Sequence, residues 1–198
     1  IHIHLAETRD EIATIAENYG KTPIQLMDSI NLFELPVLAA HCVHLDDTDV
    51  EILTAKRVGI AHNPQSNMKL ASGIAPVHKL IKIGALVGLG TDGAASNNNL
   101  DMMEEVRSAA LLQKVATEDA TSIPASTALS MATSQGARAL GMHGDIGTLK
   151  EGLKADIILF DMDKPHLYPQ NNPVAHLVYS ASSSDVDTTI IDGRVIME

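Results

Sequence analysis

The chain has 198 residues, 45% of them hydrophobic, and a formal net charge of −11, which suits about one globular domain with a buried core. The acidic charge argues against a nucleic-acid or anionic-membrane surface, because both require a basic patch. No apolar run approaches the roughly 18 residues of a membrane span. The single cysteine, Cys42, cannot form an internal disulfide. We therefore expect a cytoplasmic protein with a small-molecule partner and no nucleic-acid or membrane partner.

Apolar periodicity in the first half of the chain predicts strands that alternate with helices. The predicted strands are 1–6, 37–42, 59–62 and 85–91. The predicted helices between them are 9–19, 22–32, 46–56 and 75–83. Nearly continuous apolar strands between amphipathic helices are typical of a parallel sheet that helices cover. A closed (β/α)8 barrel needs eight such units, so the pattern fits an open α/β sheet or half of a larger barrel.

The second half of the chain changes in composition near Gly144. Helices are predicted from about 99 to 116 and from 124 to 140, and short strands with turns from 146 onward. Asp192 and Gly193 indicate a two-residue hairpin turn between alternating apolar residues. We therefore divide the chain into residues 1–144 and 145–198.

His4 lies near the end of the first predicted strand, and Glu7 directly follows that strand. A neutral imidazole is a good ligand for Zn²⁺ or Fe²⁺, and a nearby carboxylate can move protons between water and substrate. A hydrogen-bonded structural histidine is the alternative for His4. His2 shares the face of His4 but lies deeper along the strand, so we expect it to be a packed neighbour.

The next two strands also end in polar residues. His41 follows a buried apolar run and can point into a pocket at the strand end, or it can be a core histidine. The stretch 62–73, "HNPQSNMKLASG", is predicted as a polar loop in which Asn63, Ser66 and Asn67 line a pocket or satisfy the local backbone.

The stretch 89–102, "LGTDGAASNNNLDM", brings Asp92 to the end of the fourth strand. Such an aspartate can bind a metal and accept a proton, or it can bond to its own turn. Ser96 offers a hydroxyl to a ligand. The nearby Asp101, Glu104, Glu105 and Arg107 are interpreted as a solvated helix face.

Taken together, these stretches resemble the amidohydrolase superfamily, in particular its metal-dependent deaminase and chlorohydrolase branch. The resemblance rests on "HLAET", "AAHCVHL", "HNPQSNMKLASGIAPV", "LGTDGAASNNNLDM" and "GTLKEGLKADIILFDMD". The third and fourth stretches are long and specific, and they look most like the 5-methylthioadenosine/S-adenosylhomocysteine deaminases.

The resemblance implies a role for each of five residues. His4 matches a metal ligand, and Asp92 matches a metal ligand that is also the general base and a substrate contact. Glu7 matches a proton-shuttling glutamate that also contacts the substrate, and His41 a catalytic histidine that positions water and substrate. Ser96 falls where the family contacts its substrate. The implied reaction is attack of a metal-bound hydroxide on a ring carbon that carries an amino group, with one Zn²⁺ or Fe²⁺ per full-length subunit.

The family's first-strand H-x-H ligands have no counterpart here, because "IHIH" is followed by "LAET" and so matches strand five. We therefore expect the C-terminal half of a (β/α)8 barrel, strands five to eight, with part of a small β-sandwich. We expect this half alone to be inactive, to bind metal weakly or not at all, and to form homo-oligomers through its open edges. The alternatives are another amidohydrolase, acting on guanine, cytosine or triazine rings, and a metal-free half-barrel that acts as a structural or binding module.

Overall fold

A computed structural model describes residues 1–198 and contains two separate sheets. The four-stranded sheet is parallel, in the order β1 (His2–Leu5), β2 (Leu38–His41), β3 (Gly59–His62) and β4 (Leu86–Leu89). The three-stranded sheet is antiparallel and consists of β5 (Ile157–Phe160), β6 (Val186–Ile191) and β7 (Arg194–Met197). Parallel strands that alternate with helices confirm the predicted α/β class.

Ten α-helices surround these sheets. They are α1 (Arg9–Tyr19), α2 (Pro23–Ser29), α3 (Asp47–Ala55), α4 (Pro64–Lys69), α5 (Val77–Lys82), α6 (Ala94–Asn97), α7 (Met102–Thr117), α8 (Ala125–Ala132), α9 (Ser134–Ala139) and α10 (Pro173–Tyr179). Helix α3 begins with a reciprocal capping box between Asp46 and Asp49. None of the helices is long and apolar enough to cross a membrane.

One face of the parallel sheet forms the hydrophobic core. Leu5, Ala39, Ile60 and Val87 are buried there in a cluster of 22 residues with side chains from the surrounding helices. The opposite face of β1 carries His2 and His4, and both are exposed. Because β1 and β4 are the outer strands of the sheet, one backbone edge of each has no strand partner. His2 is stacked on His4 with ring centroids 6.0 Å apart, so it is a neighbour of His4 as predicted. Its side chain is exposed, however, rather than packed in the interior.

Helix α9 packs closely against β3 and β4 at two glycines. A Cβ atom on Gly59 would lie 2.0 Å from the carbonyl oxygen of Ala139, and one on Gly88 would lie 2.9 Å from the Cα of Gly136. Only glycine allows this approach of helix to strand. The single helix predicted over 124–140 is wrong in one respect, since the backbone breaks at Thr133 with φ −127° and ψ −102°.

Two further local predictions can be compared with the structure. The loop predicted over 62–73 contains helix α4, which begins at Pro64, a residue well suited to a first helical turn. The hairpin turn is confirmed, because Asp192 and Gly193 have φ of 50° and 75°, the left-handed values that a type I′ turn requires. The division of the chain between residues 144 and 145 stays a prediction.

Candidate metal and catalytic site

The carboxyl ends of β1, β2 and β4 meet at one edge of the parallel sheet. They bring His4, His41 and Asp92 together, with one ligand atom from each within 4.8 Å of the others. The His4 and His41 rings stack with centroids 5.1 Å apart. Nε2 of His4 lies 3.8 Å from Oδ1 of Asp92. Three side chains that are far apart in the sequence therefore converge at the edge where α/β proteins place their chemistry.

Left-handed backbone conformations are concentrated at these strand ends. Non-glycine residues with positive φ include Ala6 (55°), His41 (72°) and Asp92 (61°). His41 pairs in register with Leu5, whose side chain lies in the core, so regular alternation would direct the imidazole away from His4. The left-handed turn at His41 breaks this alternation, and the ring packs on His4 instead. Such strain, on the order of 1–3 kcal/mol per residue, is typical of functional sites.

His41 is held in one orientation and one tautomer. Its side chain is 1% exposed, and Nδ1 lies 2.8 Å from Oδ1 of Asn67. Because an amide oxygen can only accept, Nδ1 is the donor in this contact, so Nε2 is the ring nitrogen that can offer a lone pair. That nitrogen lies 3.7 Å from Oε2 of Glu7. Of the polar residues predicted after β3, Asn67 contacts His41 and Ser66 contacts Asp92, while Asn63 is buried.

Asp92 has two oxygens in different surroundings. Oδ2 accepts hydrogen bonds from the hydroxyls of Ser66 at 2.7 Å and Ser96 at 2.5 Å, while Oδ1 faces His4. Burial alone would raise the pKa of Asp92. The hydrogen bonds from Ser96, Ser66 and the Gly93 amide, with the charge of His41, outweigh burial and lower the pKa to about 2. Asp92 is therefore a carboxylate near neutral pH, with Oδ1 available to a cation.

Glu7 is positioned by both its backbone and its side chain. The amides of Ala6 and Glu7 donate to the two carboxylate oxygens of Glu11 at 2.7 and 2.8 Å, which fixes the turn after β1. Oε1 of Glu7 accepts from the Ser72 hydroxyl at 3.2 Å, and the Ser72 carbonyl accepts from Nε2 of His44 at 2.8 Å. Ser72 was not among the predicted site residues, because a serine in a polar stretch has no distinguishing pattern.

Glu105 lies beneath the site, although it was predicted to belong to a solvated face. That prediction is wrong for this residue, whose exposed fraction is 0%. Its carboxylate accepts from Nδ2 of Asn97 at 2.6 Å and from the backbone amide of Gln65 at 3.2 Å. Burial raises the pKa of Glu105 to about 7, despite these hydrogen bonds.

His62, at the end of β3, is a second buried ionisable group. It is 0% exposed, and neither ring nitrogen has a hydrogen-bond partner. Burial, with a smaller contribution from the charge of His41, lowers the pKa of His62 to about 3. His62 is therefore a neutral imidazole near neutral pH.

A cavity of about 720 Å³ lies between helices α8 and α9 and strands β5 and β6. Its lining is mainly apolar and includes Met131, Leu140, Ile157 and Ile190. None of the site residues described above lines it. The converging ionisable side chains therefore lie at the sheet edge rather than in this apolar cavity.

The donor set at the sheet edge fits a divalent metal. Two imidazole nitrogens and one carboxylate oxygen are the three protein ligands typical of a catalytic zinc centre, and ferrous iron uses the same donor types. The hydrogen bonds to His41 and Asp92 orient two of the three donors in advance. This set includes His41, which the sequence analysis assigned to catalysis rather than to the metal.

Comparison with known proteins shows which family the chain matches. The model of the Amidohydrolase family matches residues 1–196. The 5-methylthioadenosine/S-adenosylhomocysteine deaminases of Pelotomaculum thermopropionicum and Dictyoglomus thermophilum are 66% and 60% identical over 198 residues, 100% of this chain and 46% of each relative. The chain thus spans about half the length of these curated relatives.

Solved structures show the same relationship. An adenosine deaminase from Xanthomonas campestris with bound zinc matches 99% of this chain and 45% of its own, with a TM-score of 0.95 and 35% identity. The zinc complex of atrazine chlorohydrolase from Arthrobacter aurescens matches 100% of this chain and 44% of its own, with a TM-score of 0.90 and 28% identity. The parallel sheet is therefore part of a (β/α)8 barrel, as predicted. The family model covers nearly the whole chain and the relatives reach 66% identity, so the chain belongs to the amidohydrolase family.

Proposed function

We propose that this chain carries half of the active site of a metal-dependent hydrolytic deaminase. Its substrates are adenosine-type nucleosides, 5-methylthioadenosine and S-adenosylhomocysteine, which lose ammonia to give the inosine analogues. The observation that carries the proposal is the convergence of His4, His41 and Asp92 within 4.8 Å, with Glu7 beside His41. The names of the relatives support the substrate class.

His4 and Asp92 would hold the metal, and the lone pair on Nε2 of His41 faces the same space. When bound, the ion lowers the pKa of a coordinated water from 15.7 to about 7, which supplies a nucleophile near neutral pH. Since Oδ2 of Asp92 is already engaged by two hydroxyls, its Oδ1 would be the oxygen that binds the ion. The zinc in the Xanthomonas neighbour supports the choice of metal.

Proton movement is assigned to two carboxylates. Glu7 takes the first proton that the attacking water loses and gives it to the ring nitrogen next to the reacting carbon. The position of Glu7, fixed by Glu11 and Ser72, allows this transfer without a large movement of the side chain. Asp92, next to His4, accepts the second proton of that water and passes it to the departing amino group, which leaves as ammonia. Ser96 stays a candidate substrate contact.

The test uses the completed chimera, in which this chain is joined to the portion of the Pelotomaculum relative that it does not match. Absorbance is followed at the adenine-to-hypoxanthine transition after addition of S-adenosylhomocysteine or 5-methylthioadenosine. We expect conversion with release of ammonia and its loss in the Glu7→Gln variant. Activity on guanine or atrazine in place of these nucleosides would contradict the substrate assignment. A zinc-loaded chimera without any such activity would contradict the deaminase itself and favour the binding module.

A further inference from the structure

Resting on the proposed function, we infer that Glu105 is a positioning residue for the metal ligand Asp92. It acts through the two polypeptide segments that follow β3 and β4. No atom of Glu105 contacts His4, His41 or Asp92 within hydrogen-bond distance, so its effect on the metal is indirect.

The two oxygens of Glu105 bind different segments of the chain. Oε2 accepts from the amide of Gln65, 40 residues earlier, and Oε1 accepts from the side chain of Asn97, eight residues earlier. Oδ1 of Asn97 in turn accepts from the amide of Leu100 at 2.8 Å. One buried carboxylate therefore joins the first turn of α4 to the last residue of α6.

Each of these contacts is adjacent in sequence to a hydroxyl that holds Asp92. Gln65 precedes Ser66, and Asn97 follows Ser96. Both hydroxyls donate to Oδ2 of Asp92, which leaves Oδ1 toward His4. A shift of either segment would move a hydroxyl away from Oδ2 and let the carboxylate rotate. Glu105 thus maintains the orientation on which the metal contact depends.

The surroundings of Glu105 make a purely stabilising role a poor explanation. It is fully buried, as Met103, Val106 and Ala109 of the same helix are, and no lysine, arginine or histidine forms an ion pair with it. A buried carboxylate without a cation reduces stability relative to an apolar residue of similar size. The presence of this carboxylate at a core position is explained by the hydrogen bonds through which it joins the two segments.

The test compares Glu105→Gln with Glu104→Gln in the completed chimera. A glutamine at position 105 keeps the size of the side chain but has only one oxygen. Its NH2 group would face either the Gln65 amide or the Asn97 side chain and cannot accept a hydrogen bond from it, so one of the two segments is released. Glu104 is the matched control: it lies on the same first turn, and it accepts from the side chains of Gln65 and Asn99 rather than from a backbone amide. We expect Glu105→Gln to raise the zinc dissociation constant about 10- to 100-fold, measured by competition with a chelator, and Glu104→Gln to leave it unchanged.

A second variant, Asn97→Ala, removes one donor and keeps Glu105. It should weaken zinc binding in the same direction as Glu105→Gln, while kcat for the nucleoside falls more than KM changes. Unchanged zinc affinity in both variants would overturn the inference. An equal loss of affinity in Glu104→Gln would also overturn it. If the parent chimera binds zinc but deaminates nothing, the proposed function fails while the zinc comparison still decides the role of Glu105.

Discussion

Nδ1 of His41 donates a hydrogen bond to Oδ1 of Asn67 at 2.8 Å, in a fully buried pair. Because Nδ1 is the donor in this contact, Nε2, on the side of Glu7, is the ring nitrogen that can offer a lone pair. Asn67 thus orients the imidazole so that Nε2 can contact the metal or the substrate.

Replacement of Asn67 tests this relationship. In the completed chimera we expect Asn67→Leu to lower kcat for S-adenosylhomocysteine about 10- to 100-fold, because the imidazole loses its orienting acceptor. Asn67→Asp keeps an acceptor at the same position and should recover most of the rate. Steady-state kinetics of the two variants give the answer. Equal loss of activity in both would show that packing, rather than the hydrogen bond, is what His41 needs.

The buried His62 is expected to make the stability of the fold sensitive to acid. Its pKa is about 3 in the folded chain against an ordinary 6.5, so the unfolded chain binds a proton in this range that the folded chain does not. The free energy of unfolding should therefore fall as the pH drops from about 6.5 toward 3, by an amount on the order of 3 kcal/mol. In His62→Leu this part of the decrease should be absent.

Urea unfolding of the 198-residue chain at about pH 7 and about pH 4.5 measures the effect. The control is a substitution of the exposed His143 by leucine. An identical decrease with pH in His62→Leu and the parent chain would show that His62 is already charged in the folded state.

The buried Glu105 is expected to make the free energy of unfolding depend on pH in the opposite direction. Its pKa is about 7 in the folded chain against an ordinary 4.5, so the folded chain keeps a proton that the unfolded chain releases. Its contribution to stability is complete below about pH 4.5 and is lost by about pH 7. Relative to the parent chain, Glu105→Gln should therefore gain about 1 to 3 kcal/mol in free energy of unfolding between about pH 5 and about pH 8.

The same urea measurements at the two pH values test this, with Glu104→Gln as the reference for the loss of a charge on α7. A constant difference between Glu105→Gln and the parent chain would contradict the raised pKa. A variant that is more stable but binds zinc less tightly would separate the positioning role from a structural one.

The open edges of the parallel sheet predict self-association of the chain by itself. Strands β1 and β4 each leave one backbone edge unpaired, and an unpaired edge favours contact with another chain. Because His4 and Asp92 are the only two residues of this chain proposed as metal ligands, we also expect the isolated chain to bind zinc weakly and to be inactive. Sedimentation velocity should show dimers or larger species, and the completed chimera should lose the contacts made through these edges. A monomer with tightly bound stoichiometric zinc would contradict both expectations.

The sequence predicted the order of strands and helices well because burial and periodicity determine it locally. The strand at 59–62 and the helix at 9–19 have the predicted bounds. The break at Thr133 was missed because its neighbours on both sides favour a helix. The close packing of α9 on Gly59 and Gly88 could not be predicted either, because it depends on tertiary structure.

Prediction of the site followed from the positions of polar residues at strand ends, and it reached the residues that converge there. It missed the supporting groups for a physical reason. Glu105 has charged neighbours on an amphipathic helix, and only the folded structure shows that this one carboxylate faces inward. The stacking of His41 on His4 depends on the left-handed backbone conformation of His41, which the sequence does not indicate.

The central claim is that His4 and Asp92 of this chain hold the metal on which deamination depends. The most direct measurement is the zinc content and the rate of S-adenosylhomocysteine deamination in the same samples of the completed chimera and its His4→Ala/Asp92→Ala variant. We predict one zinc per chain and measurable ammonia release in the parent, and loss of both in the variant with the fold retained by circular dichroism. Full zinc content and an unchanged rate in the variant would contradict the claim.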